Sequence, residues 1–179
     1  MALIAAAGLL AGCGAGAHHA RPLASTPLTI PNPAPTGIPA PAADVAVIRG
    51  WANALRSGNV GAAARYFALP SEMINEAGSG GALVLKIHTA AEAIAAQETL
   101  PCGARLISTD LRGRYVNALF ALTGRPGPGG SNCGGGAGSR ARTNFVIAGG
   151  RIVEWIRAPT GPENRGGSPP SPPSSNVSD

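Results

Sequence analysis

Phe145-Val146-Ile147-Ala148-Gly149-Gly150-Arg151-Ile152-Val153-Glu154-Trp155 consists of two β-rich runs joined by a glycine pair. Val, Ile, Phe and Trp suit a pleated, half-buried surface, and Gly-Gly supplies the positive φ angles of a tight hairpin. The pattern predicts paired strands over 141–147 and 151–157. Upstream, residues 124–138 are rich in Gly and Pro and predict a flexible inter-strand loop. That loop has no GxxxxGK[ST] pattern and no lysine nearby, which argues against a phosphate-binding role. Before it, residues 104–111 and 115–123 predict a second hairpin about Gly113. Val116, Ala118, Phe120 and Leu122 share one face of its second strand, as a period of two requires.

Further upstream the period becomes helical. Asp44 is a suitable cap for a helix whose apolar positions Val45, Ile48, Trp51, Ala52 and Leu55 follow i, i+3, i+4 spacing. Gly58 ends it. Asn59 caps a second, short helix with Val60, Ala63, Ala64 and Phe67 inward, stopped before Pro70. Residues 71–77 and 83–87 read as a strand pair around Gly78-Ser79-Gly80-Gly81. Thr89-Ala90-Ala91-Glu92 is a capping-box pattern that opens a third helix to about Thr99, with Ile94 and Ala95 inward.

This order is two helices, two short strands, a helix and four strands in hairpins. It resembles the nuclear transport factor 2-like (polyketide cyclase-like) superfamily over about 115 residues. The resemblance is carried by Val47-Ile48-Arg49-Gly50-Trp51-Ala52-Asn53-Ala54-Leu55-Arg56-Ser57-Gly58-Asn59, by Tyr66-Phe67, and by the closing hairpin. It implies an α+β fold: a cone made of a curved, mostly antiparallel sheet packed on three helices from the N-terminal half, with an apolar pocket. The family includes isomerases, cyclases, dehydratases and non-catalytic binding modules, so activity has to be argued from the site. Its enzymes usually hold an Asp, Glu, His or Tyr inside the cone. Tyr115, Asn117, Asp110 and Glu154 are the strand candidates here, although strand parity alone does not say which face is concave. His88, at a strand-to-helix junction, is a further candidate at the pocket mouth. Asp110 with Arg112 or Arg114, and Glu154 with Arg142, are the expected ion pairs.

Leu10-Ala11-Gly12-Cys13 closes an apolar run that starts at Ala2. The run is long enough for a signal-peptide core and too short to span a bilayer as a helix. Its end resembles the lipobox of bacterial lipoproteins. That resemblance implies cleavage after residue 12, acylation of Cys13, and a lipid anchor on the extracytoplasmic face of the cell membrane. Each buried CH₂ of such an anchor contributes roughly 0.8 kcal/mol. No Lys or Arg precedes the run, so either translation starts upstream or the α-amino group is its only positive charge. Residues 13–43, with Pro22, Pro27, Pro31, Pro33, Pro35, Pro39 and Pro41, read as an extended tether. The domain follows at 44–158, and 159–179 reads as a Pro/Ser-rich disordered tail.

The 179-residue chain carries a net charge of +5, and Lys86 is its only lysine. This preference for arginine fits a high-GC genome such as an actinobacterial one. The cations are scattered and no basic run interleaves with aromatics, which argues against a nucleic-acid partner. They suit a modest attraction to anionic headgroups. Outside the cytoplasm Cys102 and Cys133 are expected to form a disulfide. A hairpin about Gly113 brings Cys102 beside the loop that holds Cys133, so the pair is within reach. Cys102, Cys133 and His88 lack any CxxC or HxxxH spacing, and no metal or cofactor is expected. The resulting expectation is a membrane-anchored binding module that holds a small apolar ligand, a protein partner or a second copy of itself. The alternative is a small isomerase or cyclase acting on a hydrophobic carbonyl compound.

Overall fold

The structure is a computed structural model that describes residues 30–77 and 81–160. Cys13, the signal segment, the Gly78-Ser79-Gly80 part of the predicted loop and the tail beyond residue 160 lie outside the described residues. No helix among the described residues is long and apolar enough to cross a membrane.

The elements run α1 (Ala42–Arg56), α2 (Val60–Ala64), β1 (Phe67–Ala77), β2 (Gly81–Ile87), α3 (Ala90–Glu98), β3 (Gly103–Arg112), β4 (Tyr115–Thr123), β5 (Arg140–Ala148) and β6 (Arg151–Ala158). The six strands form one curved sheet in the order β2-β1-β6-β5-β4-β3, antiparallel except between β1 and β6. This is the α+β architecture expected from the sequence. Register shifts between Leu106 and Ser108 on β3, and between Val146 and Ile147 on β5, interrupt the ladders. Such bulges bend a sheet and increase its twist.

Several local expectations change. Asp44 does not cap α1: the helix follows Pro41, and Asp44 sits in its first turn, where a negative charge meets the positive end of the helix dipole. β1 starts at Phe67 instead of residue 71, because Phe67 pairs with Ile152 and the Ile152 N–H donates to Tyr66 O at 2.8 Å. Pro70 is accommodated by a register shift between Phe67 and Glu72. Asn59 and the Thr89/Glu92 capping box form as expected. On α3 the inward residues are Ala93, Ala96 and Gln97, whereas Ile94 and Ala95 face outward. Small side chains let α3 sit close to α2, and Gln97 is inward because Trp51 supplies it with a partner.

The core lies between the helices and the inner face of the sheet, with Ile48, Trp51, Leu55, Phe67, Met73, Phe120, Phe145, Ile152 and Trp155 at its centre. Trp51 meets Phe145, Phe120 and Trp155 edge-on, with ring centroids 5.5, 6.0 and 6.3 Å away. Each such pair contributes about 0.5–1.5 kcal/mol beyond area burial.

The 124–138 loop is not free. Arg125 is buried and donates from Nε to Leu100 O at 2.7 Å and from Nη2 to Gln97 O at 3.3 Å. It thereby satisfies carbonyls at the C-terminal end of α3, where a cation is favoured. Desolvation lowers its pKa from the ordinary arginine value. At Gly129, φ is +68°, and a Cβ would lie 1.9 Å from Glu98 O, so only glycine allows the loop this close to α3. Cys102 and Cys133 are joined by a disulfide with a Cα–Cα distance of 4.7 Å. From residue 30 onward the Pro-rich stretch also contacts the sheet. Thr36 N–H donates to Leu111 O at 2.9 Å, Asn144 Nδ2 donates to Pro31 O at 2.6 Å, and Ile30 packs on Ile74, Tyr115 and Ile156. Extended proline-rich backbone leaves polar groups unpaired; the sheet supplies a donor to Pro31 O and an acceptor to Thr36.

The disulfide closes a loop with a sequence separation of 31. By loop-closure entropy, replacing both cysteines with serine should lower the unfolding free energy by about 3–4 kcal/mol in urea titrations. A loss below about 1 kcal/mol would show that the loop is held by its packing alone.

Candidate functional site

Alternation along the strands assigns every side chain to one of two faces. Val116, Ala118 and Phe120 on β4, Phe145 on β5 and Trp155 on β6 face the helices. A pocket of about 230 Å³ opens on that inner face between α1 and the sheet. Trp51, Leu55, Leu100, Ala104, Phe120, Leu122, Ala141 and Trp155 make its apolar lining, and Asn75, Thr143 and Arg157 add polar groups. Trp51 is fixed by donating from Nε1 to Gln97 Oε1 at 2.8 Å, and Gln97 Nε2 donates to Ala93 O at 3.4 Å. Trp155 Nε1 is buried and has no hydrogen-bond partner among the described residues. A buried donor of this kind costs about 1–3 kcal/mol until it meets an acceptor.

The strand residues proposed to move protons lie on the opposite face. Val116 and Ala118 point inward, so Tyr115 and Asn117 between them point outward, as does Asp110, which is in register with Asn117. Glu154 adjoins the inward Trp155 and is likewise outward. Asn117 is fully buried; it donates to Asn144 Oδ1 at 2.6 Å and accepts from Arg142 Nη1 at 2.8 Å. Asp110 pairs with Arg112 at 2.9 Å, as expected. Glu154 pairs with Arg114 instead of Arg142, through two bonds of 2.9 and 2.7 Å. Glu154 is in register with Val146, four residues along β5 from Arg142, which donates to Asn117 instead. Glu154 raises the pKa of Arg114, whose guanidinium lies 4.7 Å from the Tyr115 ring centroid.

The structure therefore brings Tyr115, Glu154 and Arg114 together with Ile30, Ile74 and Ile156 around a shallow outer cleft of about 270 Å³. It places none of Tyr115, Asn117, Asp110, Glu154 or His88 in the inner pocket. His88 is exposed, and its backbone N–H donates to Glu92 Oε2 at 2.7 Å. Hydrogen bonds from the amides of His88 and Thr89 lower the pKa of Glu92. Among the described residues, no group of three or more His, Cys, Asp or Glu converges as a metal site would require.

Gln97, Arg125 and Arg157 were not picked out as site residues from the sequence. For Gln97 a signal existed: Ala93, Ala96 and Gln97 form an i, i+3, i+4 face of small residues with one amide. Hydrophobicity favours the neighbouring Ile94 and hides that face.

No protein-family model matches the chain, and no curated protein matches it significantly. Among solved structures, it is similar to Bal32a from a soil-derived mobile gene cassette, with 18% identity, 65% of this chain and 88% of that chain covered, and a TM-score of 0.49. An NTF2-like protein of unknown function from Mesorhizobium loti gives 12% identity, 66% and 92% coverage, and a TM-score of 0.49. A SnoaL-like protein of unknown function from Burkholderia thailandensis gives 16% identity, 68% and 98% coverage, and a TM-score of 0.45.

Proposed function

We propose that this chain is a cell-envelope lipoprotein, anchored through acylated Cys13, whose domain binds a small and largely apolar ligand in the inner pocket. The observation that carries the binding role is the pocket lining: aromatic and aliphatic walls with a few polar groups at Asn75, Thr143 and Arg157. Pockets of this make-up take ligands by apolar burial and orient them with a small number of polar contacts. The unpartnered Trp155 Nε1 supports a ligand that carries a hydrogen-bond acceptor. Proton transfer next to a carbonyl needs a titratable group within reach of the substrate. Among the described residues, the pocket lining includes no Asp, Glu, His or Tyr, so binding is the role we favour over isomerisation or cyclisation. The anchor rests on the Leu10-Ala11-Gly12-Cys13 pattern.

Two measurements test this. Native mass spectrometry of the full chain, extracted from membranes without denaturation, should find a bound apolar molecule. Ala141→Leu narrows the pocket, at a stability cost of about 1–3 kcal/mol, and should abolish that mass shift; an unchanged shift in the folded variant contradicts the site. Separately, Cys13→Ala should move the protein from the membrane fraction to the soluble extracytoplasmic fraction. Retention on the membrane contradicts the anchor.

A further inference from the structure

A second concavity, unrelated to the inner pocket, lies where α2, α3 and the start of β1 meet. It is a groove of about 550 Å³, within the range of about 300–1,000 Å³ typical of small-ligand sites. Its base is apolar, formed by Ala64 and the buried Phe67. Leu69 and Ile94 stand at its rim, 50% and 36% exposed. Ile94, expected inward from the sequence, is here because α3 turned its alanine face to the core. Two exposed arginines, Arg65 and Arg151, complete the lining. Arg151 Nη1 donates to the backbone oxygen of Arg65, which holds the second arginine at the end of α2.

Among the described residues, no acidic residue lines the groove. Glu92, on the first turn of α3, is the acid nearest in sequence to its wall. It turns its carboxylate back on the amides of His88 and Thr89 at 2.7 and 3.0 Å. Two like charges beside an apolar channel favour an occupant with an anionic head and a hydrocarbon body. The head would accept charge-assisted bonds from the guanidinium groups, and the body would cover Phe67, Leu69 and Ile94 from water.

We propose that this groove binds a single-chain anionic amphiphile, with its head between Arg65 and Arg151 and its chain along Phe67, Leu69 and Ile94. The site is independent of the inner pocket. A concave channel suits one chain, whereas docking on a bilayer would call for a flat or convex patch.

The test is isothermal titration of the full chain with C12 probes held below their micelle concentrations. Dodecanoate and dodecyl phosphate separate a carboxylate head from a phosphate head, and dodecyltrimethylammonium reverses the charge. Saturable binding of either anion without the cation supports the proposal. Arg65→Gln/Arg151→Gln should weaken that binding roughly tenfold or more. Ile94→Asp, at the rim and 36% exposed, should weaken it similarly. Arg105→Gln, on distant β3, should leave it unchanged. The proposal is overturned if neither anion binds, if the cation binds equally well, if Arg105→Gln weakens binding as much as the groove variants do, or if both groove variants bind like the parent chain. Near-ultraviolet circular dichroism of each variant confirms that a loss reflects the groove and not the fold.

Discussion

The bond from Trp51 Nε1 to Gln97 Oε1 organises this molecule. The Trp51 ring touches Phe120, Phe145 and Trp155 together, so its position fixes the spacing between α1 and the sheet. An indole N–H buried without an acceptor would cost about 1–3 kcal/mol. Gln97 removes that cost, and in doing so determines which face of α3 turns inward. Arg125 then closes the same helix from its C-terminal end by binding the carbonyls of Gln97 and Leu100. The inner pocket is the space left beneath this arrangement.

The two faces of the sheet divide the chemistry. The inner face is apolar, with few polar groups. The outer face carries Asp110, Asn117, Glu154 and their arginine and asparagine partners, and the segment starting at Ile30 runs across it. Residues that could act as acids and bases are therefore used there in ion pairs and in holding that segment. A surface pair such as Arg114–Glu154 contributes little to stability, about 0–1 kcal/mol. The buried Asn117–Asn144 pair matters more, because an unpaired amide in that place would be costly.

Much of this architecture was legible in the residues themselves. Gly149-Gly150 and Gly113 marked the hairpins, Asn59 and Thr89/Glu92 marked helix starts, and the hairpin about Gly113 put Cys102 within reach of Cys133. The failures have physical causes. β1 absorbed Phe67 because pairing with Ile152 outweighed a local helical pattern, which is a long-range contact invisible in a short window. Ile94 lost its expected burial to Ala93 and Ala96 because close helix packing rewards small side chains. The faces of Tyr115, Asn117, Asp110 and Glu154 were undetermined, since alternation gives parity without saying which side the helices cover. The docked Pro-rich segment was hidden for a similar reason, as its bonds to the sheet run through the backbone carbonyls of Pro31 and Leu111, which composition does not reveal.

The most direct measurement of the central claim is a double-mutant cycle on Trp51→Phe and Gln97→Leu, followed by urea unfolding. If the indole–amide bond holds the core as described, Gln97→Leu alone should cost about 1–3 kcal/mol. Most of that cost should disappear when Trp51 is already Phe, giving a coupling of roughly 0.5–3 kcal/mol. Strictly additive losses would contradict the account, because they would show that the two side chains contribute independently and that Gln97 does not position Trp51.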